Sequence, residues 1–306
     1  MLSFIIRRFL QSIVVLFIVV LVAFTLVRLA PGSPALLLMG EFATDEQIAA
    51  MEAKMGLDKP IIEQFWIYIA GLLKGEVGNS LVYQQPVTRI IFARLPNTAR
   101  LAVGTVLLGC LMAIPLGIYA GAHRGKIVEF FCMFFALLGQ SMSSMWLGVL
   151  CIYLFAVKLG WFPALGTGGL YYMALPMFTM GYPMAASLTR VARSGMVDTL
   201  SEDYITATYA KGISRMKVYM VYALRNAMIP VATMIGLNLG MNLGGSVVVE
   251  QVFSWSGVGQ LMSQSVNARD YTMVQAMLLI SAILFIIINF MIDVVNSIID
   301  PRLTLN

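Results

Sequence analysis

The sequence predicts an all-α integral membrane protein with six transmembrane helices. Of its 306 residues, 59% are hydrophobic and only 11% are charged, whereas a soluble domain has about 25% charged residues and about 45–50% apolar ones. The mean hydropathy is +0.85. This apolar surplus exceeds what one globular core can bury, so the natural solvent is a lipid bilayer. The composition argues against a disordered chain, a coiled coil, a secreted disulfide scaffold and a soluble enzyme.

Six segments are apolar enough to cross a bilayer, which takes about 20 residues each. They are predicted at 9–29, 98–122, 127–157, 170–188, 229–249 and 273–298. The first could instead be a signal peptide, but its 19 uncharged residues exceed the usual apolar core of about 7–15 residues. The third is long for one span, so it must tilt or begin in water near Glu129.

The distribution of Lys and Arg predicts that both termini lie in the cytoplasm. With the N-terminus inside, the inner face receives most of the basic residues, namely Arg7, Arg8, Arg124, Lys126, Arg190, Arg193, Lys211, Arg215, Lys217, Arg225 and Arg302. The short outer loops receive little beyond Lys158 and Arg269. Basic residues are enriched in cytoplasmic loops, and long segments count little in that rule.

Residues 31–97 form a predicted outer cap segment between a first unit, 1–30, and a five-helix core, 98–306. The segment opens with a turn at 31–34. A helix is predicted to start after Thr44, whose side chain and that of Gln47 fit a capping box. A second helix is predicted after Pro60, over residues 61–73.

Residues 190–228 are the most polar inner segment. Acidic residues before Tyr204 predict a helix start, because the helix dipole favours negative charge there. Gly212 stands where a left-handed cap would end this helix, and a second helix is predicted over 214–225. The segment is either a docking surface for a soluble partner or an ordinary solvated loop.

Several motifs of the chain resemble inner-membrane permeases of ABC importers, in the branch for dipeptides, oligopeptides, glutathione and nickel. The motifs of the inner segment are Tyr204, Ala210-Lys211-Gly212-Ile213-Ser214 and Ala223-Leu224-Arg225-Asn226-Ala227-Met228-Ile229-Pro230. Further similar motifs lie, in order, at 28–34, 56–60, 75–80, 94–98, 244–250 and 269–271. The resemblance covers nearly the whole chain.

The resemblance implies a type I ABC importer permease fold and a pore subunit that works by alternating access. Its partners would be a second, homologous permease, two cytoplasmic ATP-binding subunits and an extracytoplasmic substrate-binding protein. The location would be the cytoplasmic or inner membrane of a bacterium or archaeon. The chain lacks a G-x-x-x-x-G-K-[ST] phosphate loop, so ATP and magnesium would be bound by partners. The predicted cargo is a di- or oligopeptide, with glutathione and nickel as alternatives.

The resemblance also implies which residues couple the chain to the ATPase. They are Asp203, Tyr204, Ala207, Ala210, Lys211, Gly212 and Arg225. The family usually has arginines where this chain has Thr206 and Tyr209, and prolines where it has Ser143 and Ser256. The missing prolines predict a straighter third span and a looser loop after the fifth.

Polar side chains at membrane depth are candidates for the pore. The candidates are Gln140, Ser141, Met234, Asn238, Met241 and Asn242. Hydrogen bonds between helices are the other interpretation of the asparagines and of residues 140–144. Gly236, Gly240 and Gly244 recur every four residues and predict close helix packing. Asp293 is expected to be an interface or snorkelling residue.

Two other classes of function fit the sequence less well. A membrane-embedded enzyme, such as a protease or a transferase, is disfavoured because His123 is the only histidine, which excludes an H-E-x-x-H motif, and because the sequence has no G-x-S-x-G motif. The three cysteines, Cys110, Cys132 and Cys151, lie in apolar runs without metal-ligand spacing. A stand-alone channel or ion-driven carrier usually buries paired ionisable residues at mid-membrane, and this chain has almost none there.

Overall fold

A computed structural model describes residues 2–29, 43–54, 56 and 58–299. Over these residues the chain is helical, and its one extended pairing is an isolated bridge between Asn79 and Pro86. The helices are α1 (Leu2–Leu29), α2 (Asp45–Lys54), α3 (Ile61–Leu73), α4 (Val87–Ala122), α5 (Ile127–Ser141), α6 (Ser144–Lys158), α7 (Leu170–Leu200), α8 (Asp203–Ala210), α9 (Arg215–Leu243), α10 (Val247–Val252), α11 (Val258–Asn267) and α12 (Tyr271–Ile299). The predicted turn at 31–34, Arg302 and the side chain of Asp293 lie outside the described residues.

Within the described part of the chain, three helices are long and apolar enough to cross a membrane. They are α4, α9 and the Tyr271–Ile292 part of α12, and the bent pair of α5 and α6 would make a fourth. The described apolar part of α1, Leu10–Thr25, is shorter than the length required. Helix α7 packs against α4, α5 and α9, so protein rather than lipid covers much of its surface. The count of six spans stays a prediction.

The centre of the bundle is the contact between α4 and α7. Glycines of α4 face small or unbranched residues of α7: a Cβ on Gly117 would lie 2.5 Å from the Cβ of Ala192. Gly121 meets Met196 in the same way. Small residues let two backbones approach closely, which is how helices pack in a membrane. Leu188, fully buried, belongs to the apolar cluster beside this contact.

The third predicted span is broken rather than straight. Helices α5 and α6 meet at an angle of 100°, because Met142 and Ser143 adopt extended backbone angles that interrupt the helical hydrogen bonds. The prediction of a straighter span is therefore wrong: small polar residues can break a helix without a proline. The bend lets α6 pack against Phe253, which a Cβ on Gly148 would approach to 3.2 Å.

The fifth predicted span also ends earlier than expected. Helix α9 stops at Leu243, and Gly245 takes a positive φ of 94° before α10 begins. The loop after α10 is closely held, so the expectation of a looser loop is wrong. The Trp255 ring is fully buried, and its Nε1 donates to the carbonyl of Asn97 at 3.2 Å. Asn97 in turn donates to the carbonyl of Ser256 at 2.9 Å.

Glu250, fully buried, joins this loop to α4. Its carboxylate accepts from Thr98 Oγ1 at 3.0 Å and from the backbone N–H of Gln260 at 2.9 Å. Thr98 Oγ1 accepts in turn from the N–H of Val258 at 2.8 Å. Burial raises the pKa of the Glu250 carboxyl, although these donors oppose the shift.

Asp270 is a second buried carboxylate, and it joins residues 80–82 to the start of α12. It accepts from the Ser80 hydroxyl and from the N–H groups of Leu81 and Val82 at 3.2 and 3.3 Å. It also accepts from the N–H of Met273 at 3.1 Å, which caps α12. Asp270 thus connects residues 80–82 of the outer segment to the start of α12.

The predicted helices of the outer segment are confirmed. Thr44 and Gln47 form the reciprocal capping bonds, at 3.1 and 3.4 Å, at the start of α2. Helix α3 follows Pro60 as predicted. Helix α4, however, begins at Val87 rather than at the predicted residue 98, so it runs without a break across the expected boundary between the cap segment and the core.

Candidate functional site

Helix α8 is a short helix fixed to the end of the bundle by one buried side. Helix α7 continues past the predicted end of its span to Leu200, and α8 follows after a turn. Ile205, fully buried, enters an apolar cluster with Met196 of α7 and with Val218 and Ala223 of α9. Thr208, one turn later, is buried on the same side. The position of α8 therefore depends on both long helices that flank it.

The remaining surface of α8 is open. Six of the seven predicted coupling residues are exposed on it or directly after it: Asp203, Tyr204, Ala207, Ala210, Lys211 and Gly212. Thr206 and Tyr209, where arginines were expected, are exposed as well. The seventh residue, Arg225, is exposed on α9. We call the exposed residues 203–212 the α8 surface.

Tyr204 contributes to the attachment of α8 as well as to its surface. Its hydroxyl accepts a hydrogen bond of 2.8 Å from the Asn226 side chain, and its carbonyl accepts one of 2.6 Å from Thr208 Oγ1. Tyr209 is near Tyr219 of α9, and burial raises the pKa of its phenol. Both tyrosines therefore reach back towards α9.

Gly212 ends α8 in the left-handed conformation predicted from the sequence. Its φ is +75°, and its N–H donates to the carbonyl of Tyr209 at 2.9 Å. A Cβ at this position would meet no atom within 4 Å. The requirement for glycine is thus one of backbone conformation, not of space.

Two contacts join α7 to its neighbours close to Met196, the α7 residue in the same apolar cluster as Ile205 of α8. Ala227 of α9 lies against Gly195 of α7, where a Cβ would be 2.7 Å from the Ala227 carbonyl oxygen. Arg193 of α7 forms an ion pair with Glu129 of α5, with an Nε–Oε1 distance of 2.8 Å. Helix α7 is therefore joined to α5 and α9 close to the point where α8 is attached.

The predicted pore and packing residues are placed as follows. Gly236 and Gly240 are buried and face Ile292 and Phe285 of α12, as close packing requires. Gly244 instead caps the end of α9 and meets only the carbonyl of Met241. Asn238 bonds to the Met234 carbonyl of its own helix, at 2.7 Å.

The other candidates for the pore are more exposed. Met241 is 66% exposed, and Asn242 is half-buried beside it. Gln140 and Ser141 are exposed directly before the bend between α5 and α6, and Ser141 donates to the Leu137 carbonyl at 2.9 Å. Pore lining by these residues stays a prediction.

Residues 113–305 match the family described as "Binding-protein-dependent transport system inner membrane component". The chain belongs to this family. Residues 1–102 match the N-terminal family described as "Binding-prot-dependent transport system membrane comp, N-term". The protein is therefore an inner-membrane permease subunit of an ABC importer, as its motifs predicted.

Relatives and solved structures agree with this assignment. The glutathione transport system permease proteins GsiC of Salmonella paratyphi A and Escherichia coli K12 are each 40% identical over 303 residues, 99% of both chains. An inward-facing structure of the MetNI methionine ABC transporter matches 70% of the permease with a TM-score of 0.59 at 18% identity. The match covers 98% of the MetNI chain. At 18% identity the similarity shows the fold alone.

The sequence did not identify the residues that hold the α8 surface in place. Ile205, Asn226 and the close approach at Gly195 became visible only in the structure of the permease. In the sequence of α8, Ile205 is the one aliphatic residue larger than alanine, and this signal could have indicated the attached side. The π-helical turns at Val218–Ala223 had no such signal.

Proposed function

We propose that the α8 surface docks into a cytoplasmic ATP-binding subunit and transmits its movement to the transmembrane helices. The observation that carries this proposal is that α8 is attached on one side, through Ile205 and Thr208, and open on the other. A rigid element of this kind can follow a partner without unfolding. ATP binding and hydrolysis belong to that partner, and this chain contributes no catalytic residue.

Protection from a thiol reagent tests the docking. Lys211→Cys is placed in a chain whose three cysteines are replaced by alanine, and its reaction with a maleimide is timed with and without the ATP-binding subunits. Docking predicts that the subunits slow the reaction at position 211. Lys126→Cys, exposed in the turn before α5, is the control for reagent access. An unchanged rate at position 211 would exclude α8 from the interface.

We propose further that the permease crosses the membrane six times with both termini in the cytoplasm. The positions of Lys and Arg support this orientation, and it places the α8 surface on the side where ATP is available. A homologous second permease would complete the pore. The transport cycle is alternating access: closure of the ATP-binding subunits moves both α8 surfaces, and the two permeases open the path outwards.

We propose glutathione or another short peptide as the cargo. This assignment rests on the 40% identity, over the full length, to permeases named for glutathione transport. The test is uptake into proteoliposomes that contain the whole complex and its binding protein, with labelled glutathione, a labelled dipeptide and nickel compared. ATP-dependent uptake of nickel without uptake of either peptide would overturn the assignment.

A further inference from the structure

Helix α3 of the outer segment has an apolar surface that the chain itself does not cover. Ile62, Trp66 and Leu73 are 74%, 61% and 85% exposed. At 100° per residue these three side chains lie within about 40° of one another on the helix. An exposed apolar stripe of this kind marks a protein or membrane contact.

An adjacent side of α3, about 80° round the helix from the stripe, is packed against α1 at the depth of the bilayer. The Phe65 ring lies between Phe17 and Phe24 of α1, with centroid distances of 6.1 and 5.2 Å. With Arg8 at the inner surface, Phe17 and Phe24 stand about 13 and 24 Å above it, at 1.5 Å per residue. Both levels fall within a hydrocarbon core about 30 Å thick. The helix therefore sits beside α1 at the level of lipid.

The exposed face of α1 continues towards α3. Phe17 is 49% exposed although it touches Phe65, and neighbouring Ile18 and Val14 are 51% and 58% exposed. The surface of α1 beside the contact with α3 is thus apolar and exposed as well. Thirteen residues span about 20 Å, too little to cross the bilayer.

The polar residues of α3 are placed as an interfacial helix requires. Lys59 and Lys74 stand directly outside its two ends, and Lys59 pairs with Glu63 at 2.8 Å. Glu63 is the one charged residue within the helix. Lysine and tryptophan at the ends and side of an apolar helix are typical anchors at the membrane surface.

We propose that α3 is an interfacial helix whose Ile62, Trp66 and Leu73 side chains are embedded in the outer leaflet of the bilayer. It would hold the outer segment at the membrane beside α1. The segment is fixed at its other end by Asp270, so the cap would be anchored both to lipid and to α12. This inference rests on the proposed orientation of the chain, with the N-terminus in the cytoplasm, and it is independent of cargo and of docking at α8.

Spin labels on α3 test the proposal in proteoliposomes that contain the assembled complex. Ile62→Cys and Leu73→Cys are labelled after Cys110, Cys132 and Cys151 are replaced by alanine, and collision rates with oxygen and with a water-soluble nickel chelate are compared. Embedding in lipid predicts that oxygen collides more often than nickel at both positions. Glu63→Cys, on the same helix, is the matched control and should show the reverse order.

Two results would overturn the proposal. More frequent collision with nickel at positions 62 and 73 would place the stripe in water. Protection from both reagents would mean that protein covers it, either the second permease or a binding protein. Assembly of each labelled complex, measured by size-exclusion chromatography, shows that the substitutions leave the fold intact.

Discussion

Gly212 is the residue that tests the proposed docking of α8 most directly. It combines a left-handed backbone, an exposed position and open space where a Cβ would be added. A substitution here therefore changes the backbone at the end of α8 without disturbing the packing of the bundle. This makes it possible to separate coupling from folding.

Gly212→Leu should uncouple the complex. A side chain in the left-handed region costs about 1–2 kcal/mol, which favours a different end to α8 and so a changed docking surface. We expect basal ATP hydrolysis to persist and its stimulation by the loaded binding protein to be lost. Gly212→Asn is the control, because asparagine tolerates this conformation, and it should retain most of the stimulation. Full stimulation in the leucine variant would contradict the assigned role.

Asp270→Ala should loosen the outer segment. The change leaves the Ser80 hydroxyl and three backbone N–H groups without their acceptor, at a cost of about 2–4 kcal/mol. The measurement is thermal unfolding of the purified chain, with limited proteolysis near residues 78–87. Asp58→Ala, at an exposed position, should change stability by less than about 0.5 kcal/mol. Equal effects of the two substitutions would argue against the role of Asp270.

Glu250 should make stability depend on pH. Because burial raises the pKa of its carboxyl in the folded chain, the folded state binds the proton more tightly than the unfolded state does. The contribution of Glu250 to stability is therefore greatest at low pH. It is lost as the pH rises from the ordinary glutamate pKa of about 4.3, which applies to the unfolded chain, through the raised pKa of the folded chain. Glu250→Gln should flatten that part of the unfolding profile. An unchanged slope in the glutamine variant would show that another group is responsible.

At the scale of the helices, close packing of α9 on α12 gives the clearest prediction. Gly236→Val should drive the two helices apart, because even a Cβ at this position would overlap the Ile292 side chain. The expected loss is about 1–3 kcal/mol of stability. Gly169→Ala, where a Cβ meets no atom within 4 Å, is the control. If Gly236→Val left the unfolding midpoint unchanged, the packing of α9 on α12 would differ from the one described.

The sequence predicted the helices best where a local signal marks their ends. The Thr44–Gln47 capping box, Pro60 and Gly212 each fixed a boundary that the structure confirms. The prediction failed where contacts between distant residues determine the structure. The break at Met142–Ser143 lets α6 pack on Phe253, and the hydropathy of the sequence carries no information about that contact. The predicted fifth span extends beyond Leu243 because residues 247–249 are apolar. In the structure these residues belong to a separate short helix.

The candidate site was predicted unevenly for the same reason. Exposed coupling residues such as Lys211 followed from motif resemblance and from polarity. Ile205 and Asn226, which attach α8, depend on partners distant in sequence, and a single sequence does not specify those. Pore lining by residues such as Asn238 stays a prediction, since the proposed second permease would complete their surroundings.

At the scale of the whole molecule, the proposed docking of α8 makes the permease a passive element that an ATP-binding subunit moves. The α8 surface lies at one end, and the segment fixed by Asp270 belongs to the outer cap. Between them α4 and α7 form a closely packed centre, and the Arg193–Glu129 pair joins α7 to α5. A movement imposed on α8 can therefore reach the bent third span through contacts already in place.

Uptake by reconstituted vesicles tests the central claim, that an external ATPase drives this chain through α8. Proteoliposomes are prepared with the chain alone, with the whole complex, and with the complex carrying Gly212→Leu, and labelled glutathione is followed with and without ATP. We expect uptake only by the unaltered complex, and only with ATP and loaded binding protein. Uptake by the chain alone without nucleotide, or undiminished uptake by the Gly212→Leu complex, would contradict it.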